Sequence, residues 1–244
     1  MTRTGLFSRV WAVGFLAMAL FAAPTAAKDK LDSETAASGL KEALHVGTAK
    51  AVDLLGATDG YWGNPEVRIP VPEKLSFVKK TLKTLGQQGL VEEFEVSMNR
   101  AAEAAAPLAK EVFVDTIKGM SFSDALAIVR GKEHEATDYL REHAGPTLGE
   151  KFRPIVDEQL DHVGATQHFN RMMDSTANVP MLGKPAFDLG EYVTGKALDG
   201  MFLMIAREEE RIRKDPLART SDLLKKVFGG GEPKPFWKKL FGGD

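Results

Sequence analysis

Apolar residues recur three and four positions apart along most of this chain, a spacing that fits helices and little else. Ala36, Leu40, Leu44, Ala51, Leu54 and Leu55 share one face of a first helix, capped near Ser33 and stopped at Gly56. Leu75, Val78, Leu82 and Leu85 predict a second, with Pro72 at its start. Val91, Phe94, Met98, Ala102 and Ala105 predict a third, which Pro107 kinks or ends, with Leu108, Val112 and Ile117 continuing beyond it. Ser123 caps a short helix through Val129, and further helical runs cover about 133–144, 146–163 and 165–175. The Pro/Gly loop "STANVPMLGKPAFDLG" precedes a long helix from about Leu189 to Lys214, and a last one runs from Pro216 to Phe228. No stretch alternates as a half-buried strand would. The expectation is an all-α, single multi-helix domain of about eight or nine helices.

One connector breaks the helical spacing. "TDGYWGNPEVRIPVP", residues 58–72, has turn signals at Asp59-Gly60 and Gly63-Asn64-Pro65. Pro70 and Pro72 push Ile69 and Val71 into extended geometry. Val67, Ile69 and Val71 then share one side, and Glu66 and Arg68 the other. The plainer expectation is an arm packed across the helices. The sharper one makes Tyr61, Trp62, Asn64 and Arg68 the rim or lid of a cleft.

The third helix poses the main puzzle. "EFEVSMNRAAEAAAP", residues 93–107, sets an amide, a guanidinium and several carboxylates among packing alanines. At 100° per residue, Val91, Phe94, Met98, Ala101, Ala102 and Ala105 fall on one face. Glu92, Glu95, Asn99 and Glu103 form a second stripe, with Arg100 close enough to Glu103 to pair. The stripe faces water, a cavity or a partner, or it is a half-buried network in which Asn99 and Arg100 tie neighbouring elements together. The long helix repeats the plan. Val193, Ala197, Met201, Met204 and Ile205 lie on a wide apolar arc, and Tyr192, Lys196, Asp199 and Arg207 line a polar strip. Gly195 and Gly200 on that helix suggest close contact with another backbone. The methionines read as core rather than as a ligand set.

Residues 1–27 have the form of a cleaved signal peptide: Arg3 and Arg9 without acids, an apolar run from Val10 to Ala23, then "APTAAKDK". The expected mature chain is a helical domain, 28–230, with a flexible basic and aromatic tail, 231–244. Periplasmic location is expected, without a lipoprotein anchor, because the chain has no cysteine. The absence of cysteine also excludes disulfides, thiolate catalysis and cysteine metal ligands. Removing the signal leaves 30 basic against 34 acidic residues, a charge of −4. From Lys225 onward there are five lysines and two acids, so the body from Lys28 to Leu224 carries 25 against 32, or −7. An acidic body argues against nucleic acid as a partner. The tail contains a hexad twice, Lys225 to Gly230 and Lys238 to Gly243. Phe236, Trp237, Lys238, Lys239, Leu240 and Phe241 are its candidate docking residues, for a membrane surface or for self-association.

Three stretches, "GNPEVRIPVPEKL", "FEVSMNRAAEAA" and "YVTGKALDGMFLMIAREEERIRKDP", together with the closing "DLLKKVFG", resemble a secreted bacterial family of unknown function numbered forty-one ninety-seven. The likeness runs from about Leu31 to Phe228. It implies a helical periplasmic protein and brings neither an activity nor a catalytic residue.

Chemical signatures are missing. There is no phosphate-binding loop, no dinucleotide glycine pattern and no nucleophile elbow, and no cofactor is expected. "HEATD", His134 to Asp138, imitates the zinc helix signature but has Asp138 where the second histidine belongs, so no metal site is expected. His162 and His168, six apart, do not share a helical face. The reading is a non-enzymatic envelope protein that binds a partner protein or an apolar ligand between its helices. Two alternatives stand beside it: an unfamiliar enzyme with a polar cleft around Arg68, Asn99, Arg100, Glu103, Lys196 and Asp199, or a structural and assembly protein.

Overall fold

The computed structural model describes residues 31–123, 125–176 and 187–229. Among them are eight α-helices and no strand, as the apolar spacing predicts. They are α1 (Ser33–Leu55), α2 (Ser76–Thr84), α3 (Gln88–Gly119), α4 (Ala125–Arg130), α5 (Glu135–His162), α6 (Ala165–Asp174), α7 (Leu189–Lys214) and α8 (Asp222–Phe228). Single 3-10 turns at Glu73–Leu75 and Pro216–Ala218 precede α2 and α8.

The four long helices make the core. Each packs on two of the others in the cyclic order α1, α3, α5, α7, while the diagonal pairs touch far less. Neighbours run antiparallel. Lys41 near the start of α1 donates to the carbonyl of Lys118 near the end of α3, and Gly56 after α1 faces Pro107 in mid-α3. Tyr139 early in α5 bonds the carbonyl of Ser121 just past α3. Thr137, Arg141 and Arg153 along α5 meet Glu209, Asp199 and Asp188 in descending order along α7. The result is an up-down-up-down four-helix core. Leu40, Leu44, Phe94, Met98, Phe113, Leu148, Phe152, Val193, Met201 and Ile205 fill it.

Several boundaries differ from the sequence expectation. α3 does not end at Pro107. The proline lacks the N–H that would bond the Glu103 carbonyl, yet the helix continues because packing on both sides holds it. Its ring sits over Gly56, where a Cβ would come within 2.8 Å of the ring Cγ. For the same reason the runs 133–144 and 146–163 are one helix, α5, with Pro146 and Pro154 inside it. α1 is capped by Asp32 rather than Ser33; the carboxylate accepts from the Thr35 N–H at 2.6 Å and its hydroxyl at 2.9 Å. The Thr35 backbone N–H also holds the Asp32 carboxyl below its ordinary range. Leu54, Leu85 and Leu108, counted with the apolar spacing, are exposed. Gly200 is needed for a close approach, to the Tyr61 ring and Val67 rather than to a backbone, whereas Gly195 faces open space. No helix among the described residues is long and apolar enough to cross a membrane.

Candidate functional site

The polar stripe of α3 holds the 58–72 arm in place. Asn99 is fully buried, and its side chain does for Ile69 what a neighbouring strand would do. Its Oδ1 accepts from the Ile69 N–H and its Nδ2 donates to the Ile69 carbonyl, each at 2.8 Å. The same Nδ2 donates to the Glu95 carbonyl one turn back. Glu103, also buried, accepts the backbone N–H groups of Tyr61 and Trp62 on one oxygen, at 3.1 and 3.0 Å. Its other oxygen takes Arg100 at 2.5 Å, and Arg100 reaches on to Asp59 at 2.7 Å. These two acceptors raise the Arg100 pKa, Glu103 the more strongly. Asp59 stands at φ 66°, the left-handed turn that delivers Tyr61 and Trp62 to Glu103. Asn99, Arg100 and Glu103 therefore form a closed, half-buried network, while Glu92 at the start of the stripe is exposed.

From the other side α7 completes the clamp. The Tyr61 hydroxyl donates to the Ala197 carbonyl at 2.7 Å with its ring against Gly200, and the Tyr192 hydroxyl donates to the Pro70 carbonyl at 2.8 Å. Arg207 pairs with Glu66. Arg68 stacks on Trp62, 4.1 Å from the ring centroid, and donates to the Trp62 carbonyl. Asn64 closes its own turn by accepting the Glu66 N–H. Val67 and Ile69 are buried, Val71 is half-buried, and Glu66 and Arg68 face out, the alternation expected, although the Val67 and Arg68 N–H groups close a turn on the Asn64 carbonyl rather than continuing an extended run.

Burial, and secondarily the Glu103 charge, push the Tyr61 phenol far above its usual range. The native state holds this group neutral, so its contribution to stability is complete below pH about 10 and falls at higher pH, by up to about 1.4 kcal/mol per pH unit. Tyr192 is shifted in the same direction by burial and by Glu95 and Glu73. Urea melts at pH 8 and pH 11 should show a steep alkaline loss in wild type. Tyr61→Phe, weaker at pH 8 for want of the Ala197 bond, should show a shallower one. Equal alkaline slopes would show that Tyr61 ionises in the folded state.

Beside the arm lies an open groove of about 690 Å³, lined by residues 70–74, Phe187 and the first turns of α7. Pro70, Pro72, Phe187 and Tyr192 give it an apolar lining; Glu73, Lys74, Glu191 and Lys196 add charges. Phe187 continues a line of ring contacts from Phe94 through Phe169 to Tyr192, at 5.5–5.9 Å between centroids. At the α7 N-cap, Asp188 accepts the Glu191 N–H and pairs with Arg153; the backbone bond is the larger cause of its lowered pKa. Of the sequence candidates among the described residues, only Tyr192 and Lys196 line this groove. Arg100 borders a separate depression of about 470 Å³ with Glu93, Ser97 and His168. Asp199 is exposed, pairing with Arg141 at 3.2 Å and Lys196 at 3.9 Å. Arg68, Arg100, Lys196 and Asp199 thus do not converge on one pocket, and Asn99 and Glu103 are engaged with the arm.

Sequence reasoning missed a second network. Glu209 on α7 is 2% exposed and accepts from the Ala136 and Thr137 N–H groups, capping α5, and from the Thr137 hydroxyl. It also pairs with Arg213 at 2.7 Å, which donates to the carbonyls of Ile128 and Val129 at the end of α4. Arg219 donates to the Ile212 and Arg213 carbonyls that close α7. The signal was present: Glu209 falls on the same arc as Ile205 and Ile212, and a carboxylate on an apolar arc needs partners.

His134 does not stand with Asp138. Its neighbours are Glu133 and Glu210, all within 4.8 Å of one another. The Lys214 ammonium already bridges the two carboxylates at 2.5 and 2.6 Å, so that cluster is an ion-pair network. The signal segment, most of the 175–190 loop and the candidates Phe236 to Phe241 lie outside the described residues.

The model of the family described as Protein of unknown function (DUF4197) matches residues 30–229. No match was found among curated proteins or among solved structures.

Proposed function

Since the chain belongs to the DUF4197 family, which assigns no activity, we propose from the site alone that it is an exported binding module. It would take an extended segment of a partner protein of the cell envelope into the groove beside the 70–74 arm. One observation carries this reading. Asn99, Arg100 and Glu103, which could have formed a reaction centre, hold the arm in place, and the concavity beside the arm is open, proline- and aromatic-lined, and charged at its sides. Such a surface suits a peptide better than an enclosed apolar ligand. The arm matters as the rigid wall of the groove, fixed by α3 and α7. Export with loss of residues 1–27 would place the module in the periplasm, and an intact mass starting near Lys28 in the periplasmic fraction tests that step.

Binding is tested by a photo-crosslinking residue placed at Lys196 in the living cell, with Lys151 as the control outside the groove. A single dominant envelope adduct from position 196, absent from 151, is expected. Adducts from neither position, or the same adducts from both, would overturn the reading. A small molecule retained in native mass spectrometry of the periplasmic protein would favour the apolar-ligand alternative.

A further inference from the structure

α2 carries a surface that neither the arm nor the groove requires. Leu75, Val78 and Leu82 point into the core, and the opposite side is open. Phe77 is 61% exposed there, and Leu85 at the helix end is 54% exposed. Around them are Lys79, Lys80 and Lys83, all exposed, with Lys74 just before the helix, at the edge of the groove. No acidic residue occurs between Glu73 and Glu92, so this stretch is +4 on a body of −7. Among the described residues most other cations are paired, such as Lys50 with Glu208, Arg100 with Glu103, Arg153 with Asp157 and Lys214 with Glu210. The four lysines of this stretch form no ion pair among the described residues, and nearby Glu93 is engaged by His168 and Arg171.

We infer that the exposed face of α2 docks the protein on an anionic phospholipid membrane, with Phe77 entering the headgroup boundary and Lys79, Lys80 and Lys83 held over the lipid phosphates. The charge complementarity is direct: an isolated basic patch attracts an anionic surface even when the rest of the molecule is acidic, because screening limits interactions to about 10 Å. Lysine stems lie along the interface while their ammonium groups stay in water. One aromatic ring with a few cations gives reversible, salt-sensitive attachment rather than insertion. Two exposed apolar side chains among lysines, rather than a broad apolar patch of the kind that marks a protein interface, favour the membrane over an acidic protein.

The test is flotation of the full mature chain with vesicles of phosphatidylcholine alone or mixed with phosphatidylglycerol. Wild type should float only with the mixed vesicles, and added salt should release it. Lys79→Glu, Lys80→Glu and Lys83→Glu together should lower that partition at least ~10-fold. These positions are exposed and lie outside the groove, and thermal melts check that folding is unchanged. Phe77→Ser should weaken binding several-fold with the salt dependence kept. Lys238→Glu with Lys239→Glu, in the tail, should lower the partition less than the triple variant does. The inference is overturned if wild type floats with neither vesicle, if the triple variant floats like wild type, or if the tail variant alone abolishes binding. Binding of soluble polyglutamate through the same lysines, without vesicle binding, would overturn it in favour of an acidic polypeptide.

Discussion

Glu209→Ala is expected to lose about 3–5 kcal/mol of stability, the cost of breaking a buried, hydrogen-bonded charge pair from one side. Glu209 is almost fully buried and has three tasks at once. It caps the first turn of α5, takes the Thr137 hydroxyl, and neutralises Arg213, itself the cap of α4. Truncation leaves two backbone N–H groups, a hydroxyl and a guanidinium facing a cavity. Glu209→Gln keeps the shape and loses the charge, so it should fall between the variant and wild type. Adding Arg213→Met to Glu209→Ala should recover part of the loss, because the orphaned charge goes with it. Urea melts of the three variants decide the matter. A loss under about 1 kcal/mol for Glu209→Ala would mean that water reaches the pair and replaces its bonds.

The second large effect concerns the arm. Asn99→Ala should cost about 3 kcal/mol, since it leaves the buried N–H and carbonyl of Ile69 unpaired and opens a small void. Asn99→Asp should be no better, because the oxygen replacing Nδ2 would face the Ile69 carbonyl. Arg100→Ala should cost less: Arg100 is one-third exposed, and Glu103 keeps its two backbone donors without it. Hydrogen exchange separates global from local loss. In Asn99→Ala the Ile69 and Trp62 amides should exchange before those of α1 and α5. If they stay as slow as the core, Asn99 is not the anchor of the arm, and the wall of the proposed groove is held by other contacts.

Local pattern fixed much of this protein in advance. Period-three and period-four spacing marks a helix wherever one face is buried, so α1, α2, α3 and α7 could be placed from residues such as Leu40, Val78, Phe94 and Val193. The extended arm was readable from Pro70 and Pro72, and the Arg100–Glu103 pair from a three-residue offset. Spacing could not say what a polar stripe faces. Glu92, Glu95, Asn99 and Glu103 have the same wheel geometry whether water or a buried arm lies opposite, and only the tertiary fold, by laying Ile69 and Trp62 across α3, decides between them. Pro107 and Pro146 mislead for a related reason: the local cost of a proline is real, but packing along both flanks of a long helix exceeds it. Glu209 and Arg213 gain their roles from the ends of α4 and α5, whose unpaired N–H and carbonyl groups lie more than seventy residues away in sequence. The sequence by itself therefore determined which segments are helical and which side of each is apolar, because those follow from periodicity. Which polar groups meet, and whether they meet in a pocket or in a clamp, is decided only by the tertiary structure, because hydrogen bonds between distant segments leave no period in the chain.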